Sequence, residues 1–207
     1  MARQHRRPVL LEERIKDCKK CSLYKTRTTI VMGEGDYSAR YMLVGEAPGK
    51  EENKQNRPFV GDAGQRLRKL IKQAGLNIND FYITNICKCW PGEGNRTPTK
   101  SEIEACLPYL IHQINQIKPE IIFTLGNTAT LALLGNRDTR GITKIHGQRY
   151  NIGFPVQSVV IPLYHPSYLI RNGESLDHIF IEDLKFAVGI IEGEKNKKKE
   201  IYEDLLK

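Results

Sequence analysis

Cysteine and amide spacing gives the first chemical signal in the chain. Cys18-x-x-Cys21 lies near the start, and Cys89 and Cys106 frame a loop rich in Pro, Gly and Asn. The chain opens Met-Ala-Arg-Gln-His-Arg-Arg, without an apolar export stretch, so five cysteines do not suggest a disulfide framework. Cys87 is the odd one of the five. The same neighbourhood poses a second question. The apolar run Tyr82-Ile83-Thr84-Asn85-Ile86 ends on an amide and passes directly into Cys87-Lys88-Cys89.

The elements that must position these residues are legible in the pattern. Apolar runs Tyr41–Gly45, Phe81–Ile86, Glu120–Leu125 and Val159–Leu163 are near-continuous, as in strands covered on both faces. Helical spacing lies between them. Asp62–Ala74 carries Leu67, Leu70 and Ile71 and stops at Gly75. Thr99-x-x-Glu102 is a capping box that opens a helix with Ile103, Leu107, Leu110, Ile114 and Ile117 on one face. Pro108 within it should kink the helix or remove one hydrogen bond. Asn127–Leu134, closed by Gly135, and Ile179–Ile191 complete the set. The alternation predicts an α/β three-layer sandwich with a four-stranded, mainly parallel central sheet flanked by helices. Residues 1–192 are expected to form a single domain, with a charged C-terminal tail over 193–207.

In such a sheet ligands bind outside the carboxyl ends of the strands. The residues there are Glu46 after the first strand, Asn85 after the second, Gly126-Asn127 after the third, and Tyr164-His165-Pro166-Ser167 after the fourth. Each has an ordinary structural role open to it: a turn cap for Glu46, loop backbone pairing for Asn85, a buried partnered ring for His165. A carboxylate, an amide and an imidazole on one edge instead predict a polar pocket with a general-acid or oxyanion-type histidine. A formal charge of +8 favours a polyanionic partner. No apolar run approaches the ~20 residues of a membrane span, so a cytoplasmic location, in a prokaryote with the nucleoid, is expected and no membrane partner is.

The stretches "GEAPGKEE" (45–52), "RPFVGDAG" (57–64), "YITN" (82–85), "KCWPGEGNRTPT" (88–99) and "YHPSYLIR" (164–171) resemble the iron–sulfur, or family 4, uracil-DNA glycosylases, in the same order from about Cys18 to Phe186. The resemblance implies hydrolytic removal of uracil from DNA, single- or double-stranded, by a monomer that flips the base out and leaves an abasic site. It implies that Phe59 stacks on the base and that Asn85 reads its edge. His165 lies near uracil O2, and Leu169 is the wedge entering the gap left by the base. Arg171 is then a phosphate contact. Rejection of thymine passes from the family 1 tyrosine position, here Gly49, to Glu52. Ala47 stands where family 1 has its water-activating aspartate. Glu46 is left either to orient water and support the sugar cation or to shape the pocket with its backbone. Cys18, Cys21, Cys89 and Cys106 match the family's four thiolate ligands of a structural [4Fe–4S] cluster. The same set also suits zinc, and spacing alone does not choose. Cys87 is read as a small core residue.

A neighbouring branch traps itself covalently on DNA through an inserted His-containing loop. The short, His-free segment Trp90–Thr99 argues for turnover. Two other readings stay open: a non-cleaving uracil- or DNA-binding iron–sulfur protein, and a zinc-stabilised nucleotide-binding domain. Either tail is a candidate docking segment for a replication or repair partner.

Overall fold

The computed structural model describes residues 9–135, 138 and 140–205. The basic run Arg3–Arg7 lies outside the described residues. In chain order the elements are α1 (Val9–Ile15), β1 (Tyr41–Gly45), α2 (Lys50–Gln55), α3 (Asp62–Gln73), β2 (Phe81–Asn85), α4 (Lys100–Ile117) and β3 (Ile121–Leu125). They continue with α5 (Asn127–Leu134), α6 (Ile142–Ile145), β4 (Tyr150–Ile152), β5 (Ser158–Leu163), α7 (Pro166–Arg171) and α8 (Asp177–Leu205).

The strands form one sheet in the order β2-β1-β3-β5-β4. β1 pairs in parallel with β2 and β3, and β3 in parallel with β5. The fifth strand corrects the four-stranded expectation: β4 adds an antiparallel edge to β5. Its three residues run from half-buried Tyr150 through exposed Asn151 to buried Ile152, too short and too mixed to stand out as an apolar run.

Alternating side chains of the central strands enter two separate cores, as pleating requires. Tyr41, Leu43, Phe81, Ile83, Phe123 and Ile161 pack with Leu67, Leu70 and Ile71 of α3 and with Phe180 and Leu184 of α8. Met42, Val44, Tyr82, Ile122 and Val160 pack with Leu110 and Ile114 of α4 and Ala129 of α5. These are the three layers expected. α8 runs through position 192 without interruption, so the charged C-terminal stretch continues the last core helix.

β2 would be a bare edge, a liability for any sheet. The segment before β1 covers it. Glu34 and Ile83 exchange both backbone hydrogen bonds, at 2.8 and 2.7 Å, and the Val31 amide donates to the Lys88 carbonyl at 2.8 Å. Leu11 and Ile15 of α1 pack with Met32, Cys18 and Tyr109. The N-terminal cysteines are thereby carried to the end of β2.

The capping box of α4 is present: Glu102 N–H donates to Thr99 Oγ1, and Thr99 N–H donates to Glu102 Oε2 at 2.8 Å. Glu102 does more than cap. Its carboxylate, 3% exposed, takes a bidentate pair from Arg96 at 2.9 and 2.8 Å and a hydrogen bond from the Ser22 hydroxyl. One group thus ties the N-terminal segment, the loop before α4 and the helix itself. Pro108 lies on the exposed side of α4, which runs on through it. Arg96 first, then Ser22 and the Thr99 amide, hold the Glu102 carboxyl down to about 2. A carboxyl lowered by folding stabilises the protein fully above its ordinary range and loses that contribution as pH falls through its folded value. Chemical unfolding at successive pH values should show stability falling between about pH 4.3 and about 2. Glu102→Gln should be less stable at neutral pH and should lack that part of the acid limb.

Candidate active site

A cleft of about 770 Å³ opens at the carboxyl ends of β1, β2, β3 and β5. That is within the range of small-ligand sites and more than a single pyrimidine fills. Glu46, Asn85 and His165 all line it, as do Ala47, Gly49, Glu52, Phe59 and Arg171. Leu169 does not. It is 0% exposed in the core between sheet, α3 and α8, because α7 turns that side chain inward. The structure thus places Leu169, expected as the DNA wedge, in the core and not at the cleft, while the next residue, Ile170, is 44% exposed.

Asn85 is the last residue of β2, paired with Gly45 of β1. It is 2% exposed, and its side-chain Oδ1 has no hydrogen-bond partner among the described residues. An unpaired buried acceptor costs about 1–3 kcal/mol, so the position is held for something that donates. Gly45 makes the room. A Cβ there would collide with Asn85 Oδ1 and stand 2.6 Å from the tip of the Phe59 ring.

Phe59 is buried at 6% with φ +52°, a left-handed conformation that costs a non-glycine residue about 1–3 kcal/mol. Glu52 holds that turn. Its Oε1 accepts from the Val60 and Gly61 amides, both at 2.8 Å. Gly64 completes it, since a Cβ at 64 would overlap the Phe59 carbonyl. The other oxygen, Oε2, lies 2.6 Å from where a Cβ on Gly49 would sit. A larger residue at 49 and this Glu52 exclude each other.

His165 caps α7, with Pro166 at the first helical position where its missing N–H costs nothing. The Ser167 amide donates to His165 Nδ1 at 3.2 Å. That fixes Nδ1 as the acceptor and leaves the proton on Nε2. Burial first, then the Arg171 charge, hold the ring down to about 4, so it is neutral at physiological pH. It lies 6.3 Å from Phe59 by ring centroids. The Glu46 side chain makes no hydrogen bond or ion pair to any described residue, unlike that of Glu52. Asn127, expected at this edge, lines the cleft, as do Tyr168 and two residues given no place there by the sequence, Asp62 and Asn95. Asn127 follows Gly126 at a strand end, which was the available signal; its Oδ1 accepts from the Ile142 amide at 2.7 Å. Tyr168 continues a stack with Tyr164 and His146 that only packing reveals.

A second, apolar cavity is lined by Cys18, Cys21, Cys89 and Cys106 together, with Ile15, Ile30, Tyr109 and Lys88. Each of three thiols meets a polar partner at 3.3 Å: Cys18 Sγ the Tyr109 hydroxyl, Cys89 Sγ the Arg27 guanidinium, and Cys106 Sγ the Lys88 amide. Cys87 is 0% exposed, packs in the core and does not line the cavity. A thiol–thiol hydrogen bond with Cys106 pushes the Cys87 thiol up, and the same contact, followed by the Lys88 charge, pulls the Cys106 thiol down.

The class of protein follows from comparison. The model of the uracil DNA glycosylase superfamily matches residues 32–191. The type-4 uracil-DNA glycosylase of Thermotoga maritima is 42% identical over 186 residues, covering 89% of this chain and 95% of that one. Those of Sulfurisphaera tokodaii and Pyrobaculum aerophilum are each 42% identical, over 84% and 86% of this chain and 80% and 92% of theirs. The chain belongs to the uracil-DNA glycosylase superfamily, in its type-4 branch. No helix among the described residues is long and apolar enough to cross a membrane.

The geometry around His165 makes a direct expectation. Its ring resonance in a proton NMR titration should stay on the neutral plateau from pH 8 to pH 5 and move only near pH about 4. A midpoint near the ordinary ~6.5 would contradict the enclosed, Ser167-capped ring.

Proposed function

We propose that the protein removes uracil from DNA by hydrolysis of the N-glycosidic bond, and that Asn85 is its base reader. The observation that carries this is the unpartnered Oδ1 at the cleft floor. Uracil offers N3–H as the missing donor and O4 as an acceptor for the amide N–H. Cytosine presents the reverse pattern and would leave both groups unpaired, the kind of mismatch that discriminates strongly. Phe59 supplies an apolar face against the base ring. Glu52, fixed by two backbone amides, is placed to crowd a thymine methyl.

The bond from sugar C1′ to base N1 breaks with its electron pair staying on the base. Negative charge then grows at uracil O2. A neutral His165 donating from Nε2 strengthens its hydrogen bond as that charge appears, which lowers the barrier rather than merely tightening binding. Water adds to C1′ and loses a proton. We assign Glu46, free of other partners, to the sugar cation and that water, with Ala47 beside it contributing no acid. Arg171 meets a phosphate. Ile170, exposed on the same short helix, takes the wedge role that buried Leu169 does not fill.

The four cysteines fit a [4Fe–4S] cluster. They line one cavity together, drawn from three separate stretches of the chain. The N–H and O–H contacts to sulfur are those that stabilise thiolate ligands. When bound, the cluster supplies structural cross-linking. A DNA substrate supports a cytoplasmic location.

Base release from labelled oligonucleotides tests the reading. Uracil opposite G, opposite A and in a single strand should be excised, and thymine opposite G should not. Asn85→Ala and His165→Ala should each lower the rate by roughly 10²–10³-fold. Tight binding of uracil-DNA without release would favour the non-cleaving alternative. Ile170→Ala should slow excision from duplex more than from single strands, and an equal loss on both would remove Ile170 from the wedge role. Cys106→Ala should remove the visible absorption of the cluster, whereas a colourless wild-type protein with bound zinc would overturn the cluster assignment.

A further inference from the structure

Lys88 is a lysine with no access to water and no part in the reaction so far. It is 1% exposed, between two cysteines at the end of β2. Its ammonium has three protons, and each is used. Nζ donates to the Asn85 backbone carbonyl at 2.6 Å, to Gln113 Oε1 at 2.6 Å and to Thr84 Oγ1 at 2.7 Å. The acceptors are themselves anchored: Gln113 Nε2 donates to the Met32 carbonyl and the Tyr82 hydroxyl, and Thr84 Oγ1 donates to the same Met32 carbonyl. All three partners are neutral, so the arrangement is directional rather than an ion pair.

The place of the Asn85 carbonyl explains why such a tie is needed. Beyond Gly45 and Asn85 the chain turns away, with the Ile86 and Cys87 amides donating to the Gly45 and Glu46 carbonyls. The reader side chain leaves the backbone at that turn. A peptide rotation there would re-aim Oδ1, and Lys88 grips the peptide that would rotate. The same residue donates its backbone amide to Cys106 Sγ. It therefore joins the cysteine-lined cavity to the reader by one side chain and one main-chain bond.

We propose that Lys88 is the positioning residue of Asn85: it fixes the peptide carrying the uracil reader and links its aim to the cysteine-bound loop. The inference rests on Asn85 reading uracil. A misplacement of about 1 Å at such a group costs on the order of a hundredfold.

The experiment is a double-mutant cycle of Lys88→Met and Asn85→Ala, measured by uracil excision and by calorimetric affinity for free uracil. Lys88→Met, which keeps the length and loses the donors, should reduce excision and uracil affinity by roughly ten- to a hundredfold. Binding to abasic DNA, which holds no base to read, should be unchanged. In the Asn85→Ala background the same change should cost less than about twofold, because its target is already gone. Additive losses, or equal losses for abasic DNA, would overturn the proposal and leave Lys88 a general core residue. Should Lys88→Met fail to fold, Thr84→Val removes one of the three acceptors and must show the same sub-additive pattern, more weakly. Wild-type protein that neither binds nor releases uracil would sink the functional reading and this inference with it. Activity with additive losses would sink the inference alone.

Discussion

An acceptor without a partner organises this protein. The side-chain oxygen of Asn85 is buried at a strand end, and no described residue donates to it. Folding ordinarily removes such groups, because each costs about 1–3 kcal/mol. Here the neighbours instead keep the space open. Gly45 has no Cβ to fill it, Phe59 is held in a left-handed turn beside it, and the Glu52 carboxylate and Gly64 secure that turn. The strain at Phe59 and the vacancy at Asn85 are local penalties that the two cores must carry.

The rest of the fold works to keep the strand end rigid. β2 lies at the edge of the sheet, where a long unpaired strand would normally be mobile or adhesive. The N-terminal segment pairs with it, and Glu102 clamps that segment to α4 and to the loop between them. The cysteines close the same junction from three separate stretches of chain. A cluster bound in that cavity would brace the reader without touching the base.

Much of this was legible in the sequence, and the failures have physical causes. Four continuous apolar runs had to be strands covered on both faces, and Thr99-x-x-Glu102 had to start a helix. The convergence of Glu46, Asn85 and His165 then followed from parallel topology alone. β4 escaped because a three-residue edge strand has almost no pattern. The burial of Leu169 was not legible because α7 has only six residues, too few to show which face its period buries. Lys88 drew no role from the sequence, since nothing in its neighbours announces three internal acceptors. Glu52 was given one role when its geometry supports two, because backbone amides eight and nine residues away are invisible to spacing.

The most direct test is the Asn85 side chain itself. Its ¹⁵N–¹H amide resonances, assigned by loss in Asn85→Ala, should shift on addition of uracil and stay unmoved with cytosine at equal concentration. Equal shifts with both bases, or none with either, would mean that the unpartnered oxygen is not a uracil reader.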